Sequence, residues 1–247
     1  MLTLNVVKRQ GAESGIIKNA NKIINKEKIY SCLDTKDAYI IEKETPQEVQ
    51  KIIIKSIKRL LEKGYSLEDI QVLCPQKTGV IGTSYLNFLL QKVFNPIEYK
   101  YKVLNKTLKL KLSPSDKEPT ILKLYFKKGD KVIHIKNDYD IYWRRKTANG
   151  YEKIENEFGI TNGECGIIEE IFEGKNKDGE KEIYIAVKYD VDRYILYTKE
   201  DVENLEHAYA LTIHKSQGSE WRAVIIPIMY QNYIMLENSL FYTAYTR

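Results

Sequence analysis

The chain has 247 residues, of which 43% are apolar and 30% charged. This is an ordinary globular composition, long enough for one large or two small domains, and it excludes disorder and collagen-like repeats. The formal net charge of +5 is only a weak pointer to an anionic partner.

The predicted elements follow in chain order. Apolar residues at 16, 17, 20, 23 and 24 have helical spacing, with Ser14 placed as an N-cap. Residues 39–42 read as a short strand. Thr45, Pro46 and Glu48 form a capping-box arrangement that opens a helix ending at Gly64. Its inward residues are Val49, Ile52, Ile53, Ile57, Leu60 and Leu61. Residues 70–74 read as a buried strand, and 85–94 as a helix stopped before Pro96. This alternation indicates an α/β layer structure.

The segment 100–128 holds nine Lys against Asp116 and Glu118, a local charge of +7, so the rest of the chain sums to −2. Leu108, Leu110 and Leu112 face opposite to Lys109 and Lys111 with period 2. A solvated edge strand guarded by lysines explains the pattern; a strip facing a phosphate backbone is the second explanation. After Pro119, short alternating runs separated by Gly, Asn and Asp turns suggest about five strands of a small antiparallel barrel of the SH3 or OB kind. The α/β pattern returns after Asp201. Residues 223–229 read as a buried strand, and Ser239 as the cap of a final helix with Leu240, Phe241, Ala244 and Tyr245. The expected division is 1–119, an inserted β module at 120–200, and 201–247.

No apolar run approaches the roughly 18–20 residues of a membrane span, and the N-terminus lacks the apolar core of a secretory signal. Cys32, Cys74 and Cys165 give no disulfide framework and no metal-ligand spacing. A cytoplasmic protein without a metal site and without a membrane partner is expected.

Chemistry concentrates at 208–220. His214, Lys215, Ser216, Gln217, Gly218, Ser219 and Glu220 form a polar loop between apolar elements, the usual place for a binding site. Thr212, Ser216 and the backbone near Gly218 can donate to phosphate oxygens, and Lys215 can supply charge. Glu220 is an acceptor suited to a ribose hydroxyl. A polar turn with a glycine stop explains the same composition.

This loop resembles motif V of RecD-like superfamily 1 DNA helicases, the exodeoxyribonuclease V alpha-chain family, with its T-x-H-K-S-Q-G-S-E run. Residues 240–247 resemble motif VI. Lys8, Arg9 and Gln10, followed by residues 14–20, are similar to motif IV and its trailing helix. Residues 71–75, Gly82, Leu86, Asn87, Leu90 and Gln91 resemble the segment between motifs IV and V. Residues 129–132, 137–140 and 162–167 resemble the family's SH3-like insertion. The resemblance spans nearly the whole chain in the family's order.

It implies a RecA-like second motor domain (2A) of a P-loop helicase, with an inserted SH3-like β-barrel (2B). Arg9 and Arg247 match the arginines that reach the γ-phosphate of ATP across the cleft between motor domains. Gln10, Gln217, Gly218 and Glu220 match positions at the nucleotide. Thr212, His214, Lys215 and Ser216 match positions on single-stranded DNA. Lys8 stands where many relatives carry an aromatic residue. The implied activity is ATP-dependent DNA unwinding by the full-length protein, with 5′→3′ polarity.

The chain contains neither a G-x-x-x-x-G-K-[ST] run nor an Asp-Glu dipeptide. The resemblance therefore implies that ATP and Mg²⁺ are held mainly by an N-terminal motor domain beyond this sequence, and that this C-terminal piece alone binds neither cofactor and is inactive. Helicase–nuclease partner subunits are a further implied partner. The alternative is a non-enzymatic module in which the barrel binds nucleic acid or protein. Tyr139, Tyr142 and Trp143 beside Arg144, Arg145 and Lys146 are explained by packing first and a DNA contact second. His134 and His207 are expected to be structural, and Asp138, Asp140, Asp190 and Asp192 turn-formers.

Overall fold

The computed structural model describes residues 14–111, 115–229 and 238–247. The motif IV positions Arg9 and Gln10 lie outside the described residues.

Helix α1 (Gly15–Ile24) starts where Ser14 Oγ accepts the Ile16 N–H at 3.2 Å, and it buries Ala20 and Ile23. Helix α2 (Pro46–Glu62) carries the capping box: Glu48 N–H donates to Thr45 Oγ1, and Thr45 N–H donates back to Glu48 Oε2. These contacts satisfy two of the orphan donors at the helix start. Beyond it, Gly64 takes φ +86°, the left-handed conformation that glycine adopts cheaply.

Strand β1 (Ile70–Cys74) is buried at all five positions. It pairs in parallel with β11 (Ala210–Thr212) on one side and β12 (Ala223–Ile225) on the other. Ile70, Val72 and Cys74 pack with Ile53 and Ile57 of α2 and with Leu86 and Leu90 of α3 (Thr83–Phe94). Leu73 points the other way, into a cluster with Leu211, Ile213 and Ala244 of α4 (Asn238–Tyr245). Both faces of this sheet are covered, which explains why β1 is buried at every position, Gln71 included.

A second sheet is antiparallel throughout: β4 (Lys131–His134), β5 (Asp138–Thr147), β6 (Gly150–Ile160), β7 (Cys165–Lys175), β8 (Lys181–Asp190), β9 (Arg193–Tyr197) and β10 (Leu205–His207). Its order among the described residues is β10-β4-β7-β8-β9-β5-β6. Phe126, Trp143, Ile168, Ile185 and Tyr197 fill its core. The Lys-rich strand is β2 (Val103–Leu110), which forms a two-stranded ribbon with β3 (Thr120–Phe126). Leu108 is buried while Lys109 and Lys111 are exposed.

Three expectations change. Residues 39–42 form no strand. Ile40 N–H donates to Ser31 Oγ at 2.8 Å instead of to a neighbouring chain, and Tyr39 and Ile41 are exposed. The strand read at 223–229 contracts to Ala223–Ile225 and is half-buried. Pro227 lacks the N–H that would continue a ladder. Ser239 is the second residue of α4 rather than its cap, and its carbonyl accepts the Thr243 hydroxyl at 2.9 Å.

The two sheets share a core. Ile133 of β4 and Cys165 of β7 pack into the cluster of Leu73, Leu211 and Ile213. Only Ala208 and Tyr209, both buried, separate the end of β10 from the start of β11. Asp130 sits beneath this crossing at 0% exposure. Its carboxylate accepts from Gln91 Nε2 (2.6 Å), Asn95 Nδ2 (2.7 Å), Lys127 N–H (2.8 Å) and Tyr209 OH (3.0 Å), and His207 Nε2 lies 3.2 Å away.

Candidate functional site

The polar loop leaves the C-terminal end of β11, the edge of a parallel sheet at which ligands bind in α/β folds. Thr212 is the half-buried last residue of β11 and the N-cap of a 3₁₀ turn, Ile213–Ser216. Ile213 anchors the turn at 0% exposure. Ser216 is fully buried as well, and its hydroxyl donates to the Ile213 carbonyl at 2.7 Å. Its side chain therefore holds the turn and does not face solvent.

His214, Gln217, Gly218 and Glu220 are exposed along the rim. Gly218 has φ +89°, and nothing lies within 4 Å of the position a Cβ would take. A ligand can thus approach the backbone closely there. Gln217 N–H and Ser219 N–H are turned back onto His214 and Ser216 carbonyls.

Lys215 is half-buried and donates to Glu206 Oε2 at 2.7 Å. The other oxygen of Glu206 accepts from Lys77 at 3.0 Å and lies 4.0 Å from Lys106. Burial alone would raise the Glu206 carboxyl, but the hydrogen bond from Lys215 and the charges of Lys106 and Lys215, with a further bond from Lys77, outweigh it and hold the group at about 2. The ordinary value is 4.5. A depressed acid contributes stability above its unfolded value and loses it as pH falls through the folded one. Wild type is thus expected to lose more stability than Glu206→Gln between pH 4.5 and 2. Thermal unfolding of both across that window checks this.

Two buried amides fix the approach to the loop. Asn87 Nδ2 donates to the carbonyls of His207 (3.1 Å) and Ala210 (2.9 Å), and Asn87 Oδ1 accepts the Ala210 N–H. Gln71 Nε2 donates to the Ala208 carbonyl at 3.1 Å. Sequence reading noted both residues but gave them no role. Their signal was there: Gln71 is an amide inside an otherwise apolar strand and Asn87 stands between Leu86 and Phe88 in α3, and a buried polar group requires partners.

Arg247 follows α4 and is half-buried, with Nε donating to the Thr243 carbonyl at 3.3 Å. Helix α4 is held from two sides. Ala244 packs on Leu211 and Ile213, and Tyr245 OH accepts from the buried Asn19 of α1 at 2.8 Å. The described structure thus joins Thr212–Glu220 in one loop and rests the helix before Arg247 on that loop's apolar underside. The aromatic–basic group at 139–146 divides. Trp143 is core, with Nε1 donating to the Gly159 carbonyl at 2.9 Å, whereas Tyr139 and Tyr142 remain exposed. His134 meets Tyr197 OH at 3.0 Å inside the barrel.

The family described as "ATP-dependent RecD-like DNA helicase SH3 domain" matches residues 104–189, and "UvrD-like helicase C-terminal domain" matches 207–247. Over these two regions the chain is similar to RecD-like superfamily 1 helicases. The ATP-dependent RecD2 DNA helicase of Deinococcus radiodurans is 30% identical over 178 residues, covering 72% of this chain and 19% of that protein. An uncharacterized protein of Methanocaldococcus jannaschii is 32% identical over 187 residues, 73% of this chain and 14% of that protein. This RecD-like chain therefore spans less than a fifth of the length of these relatives. Among solved structures, Bacteroides Pif1 bound to ssDNA aligns with 97% of the chain and 47% of its own length, at 18% identity and a TM-score of 0.41. The two matched regions correspond to an SH3-like module and to a helicase C-terminal domain, within a mixed α/β fold. Among the described residues, no helix is long and apolar enough to cross a membrane.

Proposed function

We propose that this chain is the second motor domain of an ATP-dependent DNA helicase that moves on single-stranded DNA in the 5′→3′ direction. The supporting observation is the rim at the C-terminal end of β11, where exposed His214, Gln217, Gly218 and Glu220 share one short loop with Lys215. In this reading Thr212, His214 and Lys215 meet the strand backbone. Gln217, Gly218 and Glu220 meet the nucleotide, together with Gln10. Ser216 serves both by fixing the turn from inside. Arg9 and Arg247 reach the γ-phosphate of ATP held with Mg²⁺ by the other motor domain. Bound ATP supplies the phosphoryl-transfer chemistry. The residues of this chain supply charge at the phosphates and a grip on the strand.

One loop that meets both ligands links grip to nucleotide state, because a shift of the turn moves both sets of contacts together. The division into 1–119, 120–200 and 201–247 belongs to the same reading, as do the inactivity of the 247-residue chain alone and helicase–nuclease partner subunits. The direct test is binding of the chain to fluorescent oligo(dT) across a salt series. Phosphate contacts should give a log K against log salt slope of about −0.7 for each contact on a single strand. Binding that does not weaken with salt would count against the reading.

A further inference from the structure

Glu206 is not part of the loop, yet it gathers three lysines from distant parts of the chain. Lys77 lies three residues beyond the end of β1, Lys106 is on the β2–β3 ribbon, and Lys215 is on the turn after β11. Their Nζ atoms lie 3.0, 4.0 and 2.7 Å from the Glu206 carboxylate. Three ammonium groups against one carboxylate leave a surplus of two positive charges. The site is neither fully buried nor fully solvated: side-chain exposure is 57% for Lys77, 25% for Lys106, 31% for Lys215 and 22% for Glu206. A salt bridge built only for stability needs one cation. A second and third, each with a desolvation cost and mutual repulsion, are uneconomical unless another anion arrives.

We infer that Lys77, Lys106 and Lys215 form a phosphate-binding cluster for the nucleic-acid strand, with Glu206 as the internal counter-ion that positions them when the strand is absent. The inference rests on the proposed strand contact at the adjoining turn and extends it to two residues outside the motif V loop. Three features favour a strand phosphate. The cluster stands at the C-terminal ends of β1 and β11, where the parallel sheet opens to ligands. Lys215 belongs to the same turn as the exposed His214. Lysine also suits a backbone contact, because it supplies charge without reading sequence. Lys106 is crowded: burial pushes its ammonium below the usual lysine range, against the pull of Glu206 and reinforced by Lys77 and Lys215. An incoming phosphate relieves that crowding.

The test measures oligo(dT) binding to the 247-residue chain across a salt series. Lys77→Gln and Lys106→Gln should each weaken binding about five-fold and make the log K against log salt slope shallower by about 0.7. Glu206→Gln should tighten binding, because it removes the competing carboxylate and keeps the side chain's size. Lys109→Gln is the charge-matched control. It lies on the opposite, outward face of the same ribbon, and it should leave affinity and slope unchanged. Thermal midpoints exclude unfolding as the cause, and exposed Lys77 is the variant least able to disturb the fold.

Unchanged binding in Lys77→Gln and Lys106→Gln, with loss in His214→Ala, would overturn the cluster and leave the proposed strand contact standing. Equal losses in Lys106→Gln and Lys109→Gln would also overturn it, because the effect would then be general charge. Weaker binding by folded Glu206→Gln would remove the counter-ion role. No oligo(dT) binding by wild type would overturn the cluster as well.

Discussion

Asp130→Ala should destabilise the chain by about 3–5 kcal/mol, the cost of removing one partner from a buried charged network. The carboxylate is fully buried and accepts from the side chains of Gln91, Asn95 and Tyr209 and from the Lys127 backbone, with His207 beside it. Alanine takes the acceptor from the Tyr209 hydroxyl and the Lys127 N–H and leaves Gln91 Nε2 and Asn95 Nδ2 with the Tyr125 and Lys128 carbonyls, so each lost bond carries a desolvation cost. The damage should also reach the site. Gln91 belongs to α3, His207 ends β10, and Tyr209 lies in the two-residue crossing that delivers β11. Asp130→Asn keeps the shape and some acceptor capacity, so it should cost less. Urea unfolding of the three proteins checks both statements. A loss below about 1 kcal/mol in Asp130→Ala, the range of an ordinary surface change, would contradict this role.

The second large effect concerns Arg247. In the natural protein, Arg247→Ala should lower kcat for ATP hydrolysis by about 10³-fold or more, the scale on which an arginine stabilises a phosphoryl-transfer transition state. In the proposed reading nucleotide binding changes far less, because the charge Arg247 would meet develops mainly during transfer. Arg247→Lys should recover little, since a point charge does not reproduce the guanidinium fork. The helix that carries this residue is tied to α1 by the Asn19–Tyr245 hydrogen bond and to the 213–216 turn by Ala244. That support, with the Nε bond to the Thr243 carbonyl, fixes the base from which its guanidinium projects. Single-turnover hydrolysis separates the chemical step from binding.

Local signals carried much of the fold into the sequence. The capping box at Thr45 and Glu48, the Ser14 cap and the apolar run at 70–74 each depend on neighbours a few residues away, and all appear as read. Failures came where a segment needs a distant partner. Residues 39–42 have strand-like composition, but Ser31 rather than a strand takes the Ile40 N–H. The run at 223–229 looked wholly buried by composition, yet only three residues pair with β1. The polar rim at 214–220 was legible because it is contiguous. Its supports were not: Glu206 meets Lys77 across 129 residues, and Asn87 meets Ala210 across 123. Nothing in the sequence around Asp130 marks the five partners that converge on it, because all but Lys127 lie more than thirty residues away.

His214 carries the central claim most directly, because its side chain is exposed on the turn. The deciding measurement is ATP hydrolysis by the natural protein with and without single-stranded DNA, for wild type and His214→Ala. The predicted result is that the variant keeps its basal rate and thermal midpoint and loses most of the stimulation by DNA. Full stimulation in the variant would contradict the assignment of this loop to the strand.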